Sequence, residues 1–182
     1  MFNLPNILSF ARLMAVPLAV WLMIDGDFAP AFWLFVAAGL TDALDGFLAK
    51  RFGWETELGS YLDPLADKAL LVSVFVVLGW TGHLPLWLTI MVVFRDVFIV
   101  GGAVVVMAIT GAFKSEPMFV SKLNTTLQIA LAAAVLAKLG LGLDIELATT
   151  ILIAATAAST FASGMAYLVR WTRRLNEQED GP

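Results

Sequence analysis

The chain has 182 residues, of which 60% are hydrophobic and only 14% charged, and its mean hydropathy of +0.86 excludes an ordinary soluble domain. A net charge of −4 and the lack of any basic stretch interleaved with aromatics exclude nucleic-acid binding. With no cysteine, disulfides and thiol catalysis are excluded too.

Apolar runs of about 20 residues are the unit to look for in such a chain. MFNLPNILSF lacks the basic start of a secretory signal, so the first run is read as retained. It extends from about Ile7 to Ile24 and carries Arg12 near its start. DGDFAP then turns, and a second run from Phe28 to Ala49 follows, with Pro30 tolerable in its first turn. A polar link, Lys50 to Glu57, leads to a third from Leu58 to Trp80. Pro64 in that segment either kinks a continuous helix or starts one with Asp63 as its cap. TGHLP closes the hairpin, and a fourth run from Leu86 to Ile109 contains Arg95 and Asp96. The fifth spans Met118 to Leu139 and the sixth Ile145 to Trp171, so that one membrane domain covers 1–172 and a polar tail, fraying from the helix, covers 173–182.

The expected fold is an all-α integral membrane protein of six transmembrane helices. Lys50, Arg51, Lys114, Lys122, Arg170, Arg173 and Arg174 collect on one side, against Lys138 alone on the other. The bias of basic residues toward the cytoplasm therefore puts both termini inside. The aromatics near helix ends, Trp54, Trp80, Trp87 and Trp171, read as interface anchors, and His83 as an ordinary loop residue.

Four aspartates break the apolar pattern. Asp42 and Asp45 are three apart and share one helix face; Asp63 and Asp67 are four apart and share another. A charged side chain at the centre of a membrane helix costs about 2.5–3.5 kcal/mol on insertion scales, so four together call for a function. Gathered and ionised they repel, and must hold protons or cations. Oxygen-only ligands suit Mg²⁺, Mn²⁺ or Ca²⁺, in a site for one ion or two, facing the cytoplasm near the inner leaflet. A divalent-cation transporter would also place acids in membrane helices, but none of these continues a path through the outer halves. A silent lipid-binding scaffold is the third class.

The string Asp42, Asp45, Gly46, Ala49, Gly59, Asp63, Asp67 resembles the signature of the CDP-alcohol phosphatidyltransferases, D-x2-D-G-x2-A-R-x8-G-x3-D-x3-D, departing only in Lys50 where that family has Arg. Lys keeps the charge but lacks the planar fork, which Arg51 next to it carries. NLPNILSFAR, LDPLADK, FRDV and FVSKLNTTLQ are similar to segments of the branch holding phosphatidylglycerophosphate synthases and mitochondrial-type cardiolipin synthases, the last two closer to the cardiolipin synthases.

The resemblance implies an enzyme of the bacterial cell (inner) membrane that moves a phosphatidyl group from CDP-diacylglycerol to an alcohol, releasing CMP. It implies phosphatidylglycerol as acceptor, giving cardiolipin, with glycerol 3-phosphate as the alternative, and a homodimer. Two Mg²⁺ or Mn²⁺ ions would be held by Asp42, Asp45, Asp63 and Asp67, with Asp67 also the catalytic base. Gly46, Lys50, Gly59, Asn6 and Arg12 would contact the donor nucleotide and diphosphate; Arg95, Lys122, Asn124 and Arg51 would contact the acceptor phosphate. The plainer readings are close helix packing for Gly46 and Gly59, and a locally satisfied pair for Arg95 with Asp96.

Overall fold

The computed structural model describes the backbone of residues 4–52, 57–110 and 118–179, and the side chains of 10–42, 44, 66, 68–102 and 118–173. Six helices account for almost all of it: α1 (Leu4–Asp25), α2 (Phe28–Phe52), α3 (Glu57–Trp80), α4 (Leu86–Thr110), α5 (Phe119–Leu141) and α6 (Glu146–Glu179). Their bounds follow the apolar runs to within a few residues, with one exception. Helix α6 continues through 173–179, a stretch expected to fray, because Arg, Leu, Glu and Gln are all good helix formers. Helix α3 is already formed at Glu57 and runs on through Pro64, so Pro64 lies inside a helix rather than opening one.

Glycine ends three of the helices. Gly26, Gly82 and Gly142 have φ of 87°, 80° and 66°, which an L side chain rarely adopts. After α1, Gly26 N donates to Met23 O and Asp27 N to Leu22 O, and after α3 His83 N donates to Leu78 O, satisfying carbonyls that the helix itself leaves open. The turn from α1 to α2 is thereby only two residues long. His83 rests edge-on against Phe28, with ring centroids 5.0 Å apart.

The chain divides into two compact units, Met1–Pro85 with Ala132–Glu146, and Leu86–Leu131 with Leu147–Pro182. In the first, α1 packs on both α2 and α3. Buried positions recur at helical spacing: Ala19 and Met23 on α1; Ala31, Phe35 and Ala38 on α2; Leu70, Leu71, Val74, Phe75 and Leu78 on α3. At the end of α5, Gly140 comes so close to the start of α2 that a Cβ there would stand 2.6 Å from Ala29 N and Phe28 O.

The second unit has a core of a different kind. Leu88, Val92 and Leu131 are buried, but so are Thr89, Arg95, Asp96, Asn124, Gln128, Thr156, Ser159, Thr160 and Ser163. Large apolar side chains face outward instead, among them Trp87, Ile90, Phe94 and Val97 on α4 and Leu147, Ile151, Phe161 and Met165 on α6. Polar groups inside and phenylalanines outside invert the usual globular arrangement. Among the described residues α5 and the Glu146–Arg173 part of α6 are long and apolar enough to cross a membrane, and Phe28–Asp42 and Lys68–Trp80 are shorter apolar stretches.

Candidate functional site

Helix α2 carries Asp42 and Asp45 in its last three turns, and α3 carries Asp63 and Asp67 in its first three. The two pairs thus belong to consecutive helices of one unit and flank the same short connection. The side chains of Asp45, Gly46, Lys50, Arg51, Gly59, Asp63 and Asp67 lie outside the described residues, as do those of Asn6 and Lys114. Of the four aspartates, Asp42 is the one whose surroundings are described.

Asp42 lies on the same face of α2 as Ala38, one turn beyond it, where the buried stripe opens to partial exposure. Its Oδ1 accepts from Arg12 Nη1 at 2.8 Å; the arginine side chain is 2% exposed and the aspartate 42%. Hairpin arithmetic explains the meeting. Arg12 lies 13 residues before the end of α1 at Asp25, and Asp42 lies 14 after the start of α2 at Phe28. At 1.5 Å per residue both stand about 20 Å from the turn, so antiparallel helices bring them level. The near-equal count from Gly26–Asp27 was the signal in the sequence for this pair. Just before it, Thr41 turns its hydroxyl back to Ala37 O and Ala38 O, at 3.0 and 2.8 Å, and so offers the region no further polar group.

In the second unit Arg95 joins three helices. Its Nη1 donates to Asp96 Oδ1 at 2.7 Å, its Nη2 to Ser121 Oγ on α5 at 2.6 Å, and Nε and Nη2 both reach Ser163 Oγ on α6, at 3.2 and 2.5 Å. The guanidinium is thus charge-balanced by its neighbour and oriented by two hydroxyls. Neither serine was singled out from sequence, because a serine facing inward in a membrane helix leaves no mark in hydropathy.

Asn124 is wholly buried one turn further along α5, where its Oδ1 accepts from Ser159 and Thr160 of α6, both at 2.8 Å. Asn124 Nδ2 and Gln128 Nε2 have no partner among the described residues. Lys122, by contrast, is exposed. Arg95 and Asn124 therefore stand in one buried polar strip that Lys122 does not join.

Beside Arg95 an apolar groove of about 300 Å³ opens between α4 and α6, lined by Met91, Phe94, Phe98, Phe161 and Met165, with Gly164 and Thr160 contributing to its wall. Several of these side chains are among the outward-facing apolar ones. The groove could accept a hydrocarbon chain, and its one charged lining residue is Arg95.

Comparison with known proteins gives the same grouping. The family model described as CDP-alcohol phosphatidyltransferase matches residues 2–162. A cardiolipin synthase (CMP-forming) of Homo sapiens is 35% identical over 182 residues, covering 91% of this chain and 60% of its own. A chloroplastic CDP-diacylglycerol--glycerol-3-phosphate 3-phosphatidyltransferase 1 of Oryza sativa subsp. japonica is 34% identical over 187 residues, 93% of this chain and 57% of that one. The Mycobacterium tuberculosis protein named "Probable phosphatidylglycerophosphate synthase" is 32% identical over 180 residues, 95% of this chain and 83% of that one. The chain spans about three-fifths of the length of the rice and human relatives. With the family model covering most of its length, the chain belongs to the CDP-alcohol phosphatidyltransferase family.

Proposed function

We propose that the protein is a membrane-embedded enzyme that transfers the phosphatidyl group of CDP-diacylglycerol to phosphatidylglycerol, forming cardiolipin and CMP. The observation that carries this reading is the aspartate motif itself, divided between α2 and α3 within the region that the family model matches. The outward-facing phenylalanines, leucines and tryptophans on most of the helices support six spans in a bilayer. The distribution of Lys and Arg supports cytoplasmic termini and a site open to the cytoplasm, in the manner of a bacterial inner-membrane protein.

The donor set fits a hard divalent ion: Asp42, Asp45, Asp63 and Asp67 offer only carboxylate oxygens, and Arg12 holds one oxygen of Asp42 at 2.8 Å. These four would hold two Mg²⁺ or Mn²⁺ ions, which when bound neutralise the diphosphate and the departing CMP. Asp67 takes the proton of the acceptor hydroxyl, whose oxygen bonds to the lipid-bearing phosphorus as the bond from that phosphorus to CMP breaks. No enzyme nucleophile intervenes. Gly46 and Gly59 let the donor approach the helix backbone, with Asn6 and Lys50 as polar contacts around it. Arg95 and Asn124 serve the acceptor phosphate, with Arg51 as a further contact and Lys122 set apart on the exposed side of α5, Arg95 being already oriented by Ser121 and Ser163.

The groove beside Arg95 favours a lipid acceptor, since a small water-soluble alcohol has no use for an apolar wall. Glycerol 3-phosphate remains the second reading, supported by relatives of both names matching this chain at similar identity. A homodimer is proposed on the family resemblance. Purified protein supplied with CDP-diacylglycerol, Mg²⁺ or Mn²⁺, and either phosphatidylglycerol or glycerol 3-phosphate tests all of this. Cardiolipin as product supports the reading; phosphatidylglycerophosphate replaces the acceptor; metal flux into liposomes without release of CMP would replace the enzyme by a transporter.

A further inference from the structure

We infer that Arg12 is a positioning residue for Asp42: its buried guanidinium holds one carboxylate oxygen, fixing the aspartate's orientation while leaving the rest of the carboxylate open for an ion. The inference rests on the reading of Asp42 as a metal ligand given above.

Three observations lead to it. Arg12 is buried on the inner face of α1, in line with Ala19 and Met23, so its charge is committed to the protein interior rather than to lipid or solvent. It meets Asp42 through Nη1 and Oδ1 at 2.8 Å, a charge-assisted bond across two helices that the hairpin register makes level. The two members are unequally covered, 2% against 42% exposed. A pair serving structure alone would be expected to close over both partners. This one closes over the cation and leaves the carboxylate accessible, as an outer group behind a metal ligand must. Carboxylates that ligate metals are commonly held in this way, and removing the outer partner typically weakens metal affinity about 10–100-fold.

Arg12 also offsets part of the repulsion among four acids. With it in place the Asp42 side chain does not have to be ordered on binding.

The test is Mn²⁺ binding by the full-length protein in detergent, followed by the electron paramagnetic resonance signal of the free ion. Wild type, Arg12→Gln, Arg12→Lys and Asp42→Asn are compared, with helicity measured on each. Arg12→Gln is expected to bind Mn²⁺ about 10–100-fold more weakly while retaining helicity, and Arg12→Lys, which keeps charge but loses the fork, to fall between it and wild type. The Mn²⁺ concentration for half-maximal CMP release should rise in parallel, with the rate recovering at saturating metal. Affinity equal to or tighter than wild type in Arg12→Gln would overturn the inference, since the arginine would then be a bystander or a competitor. Should Arg12→Gln fail to fold, Arg12→Lys decides: weakened binding supports the inference and unchanged binding overturns it. Wild type that takes up no Mn²⁺ would sink the metal reading itself, and this inference with it; wild-type binding lost in Asp42→Asn but intact in both Arg12 variants sinks the inference alone.

Discussion

Ser163 Oγ stands 2.5 Å from Nη2 and 3.2 Å from Nε of Arg95, so one hydroxyl on α6 receives both donors along one edge of a buried guanidinium on α4. Replacing it by alanine leaves Nε with no described acceptor and Nη2 dependent on Ser121. Ser163→Ala is expected to cost about 1.5–3 kcal/mol, the range for hydrogen bonds to charged groups. At about 2–4 °C per kcal/mol for a chain of this size, thermal unfolding in detergent should begin several degrees lower. An unchanged melting temperature would mean that the two groups do not meet.

Asp67→Asn keeps the size of the side chain and removes its basicity. It is expected to reduce CMP release by about 10²–10⁴-fold, the usual contribution of a positioned base, or more if metal binding suffers as well. Unfolding temperature should stay near that of wild type. Chelation of divalent ions should silence the wild-type enzyme in the same assay, with Mg²⁺ or Mn²⁺ restoring it.

Glycine-to-alanine substitution separates a crowded helix position from an open one. At Gly140 the added methyl would meet the backbone of Phe28 and Ala29, which cannot move aside as a side-chain tip can, whereas at Gly39 on α2 nothing lies within 4 Å. Gly140→Ala should destabilise by about 1–3 kcal/mol, as overpacking does, and Gly39→Ala should be neutral or mildly stabilising. Melting curves of the two variants side by side check the contrast.

Lys138 and Glu146 pair across the turn between α5 and α6, at the surface. Exposed pairs of this kind contribute about 0–1 kcal/mol and are screened by salt. Glu146→Gln should therefore shift unfolding by less than a few degrees, and the shift should shrink in high salt. A large effect would assign the pair a role in closing the turn.

Most of the helical layout could be read directly from the sequence, because apolar runs of membrane length bounded by Gly and Pro leave few alternatives. Gly26, Gly82 and Gly142 sit within two or three residues of the expected helix ends. What escaped was polar pairing across helices. Arg12 and Asp42 were assigned to separate tasks, and only counting outward from the Gly26–Asp27 turn shows that they are level. Ser121 and Ser163 were invisible because small hydroxyl residues fit either face of a membrane helix. Helix α6 outran its expected end because hydropathy reports where the apolar stretch stops, whereas backbone propensity governs where the helix stops.

In a bilayer, lipid tails are as apolar as leucine, so burying an oily face gives α6 no preferred rotation about its own axis. Thr149, Thr156, Ser159, Thr160 and Ser163 are all buried on one side of it; Ser159 and Thr160 donate to Asn124, Ser163 accepts from Arg95, and Thr156 donates to Leu127 O. That row of hydroxyls works as a keyway. Stripped to alanine and valine, the helix would stay apolar enough to cross a membrane, but it would be free to spin, and the residues it presents to Arg95 would no longer be fixed.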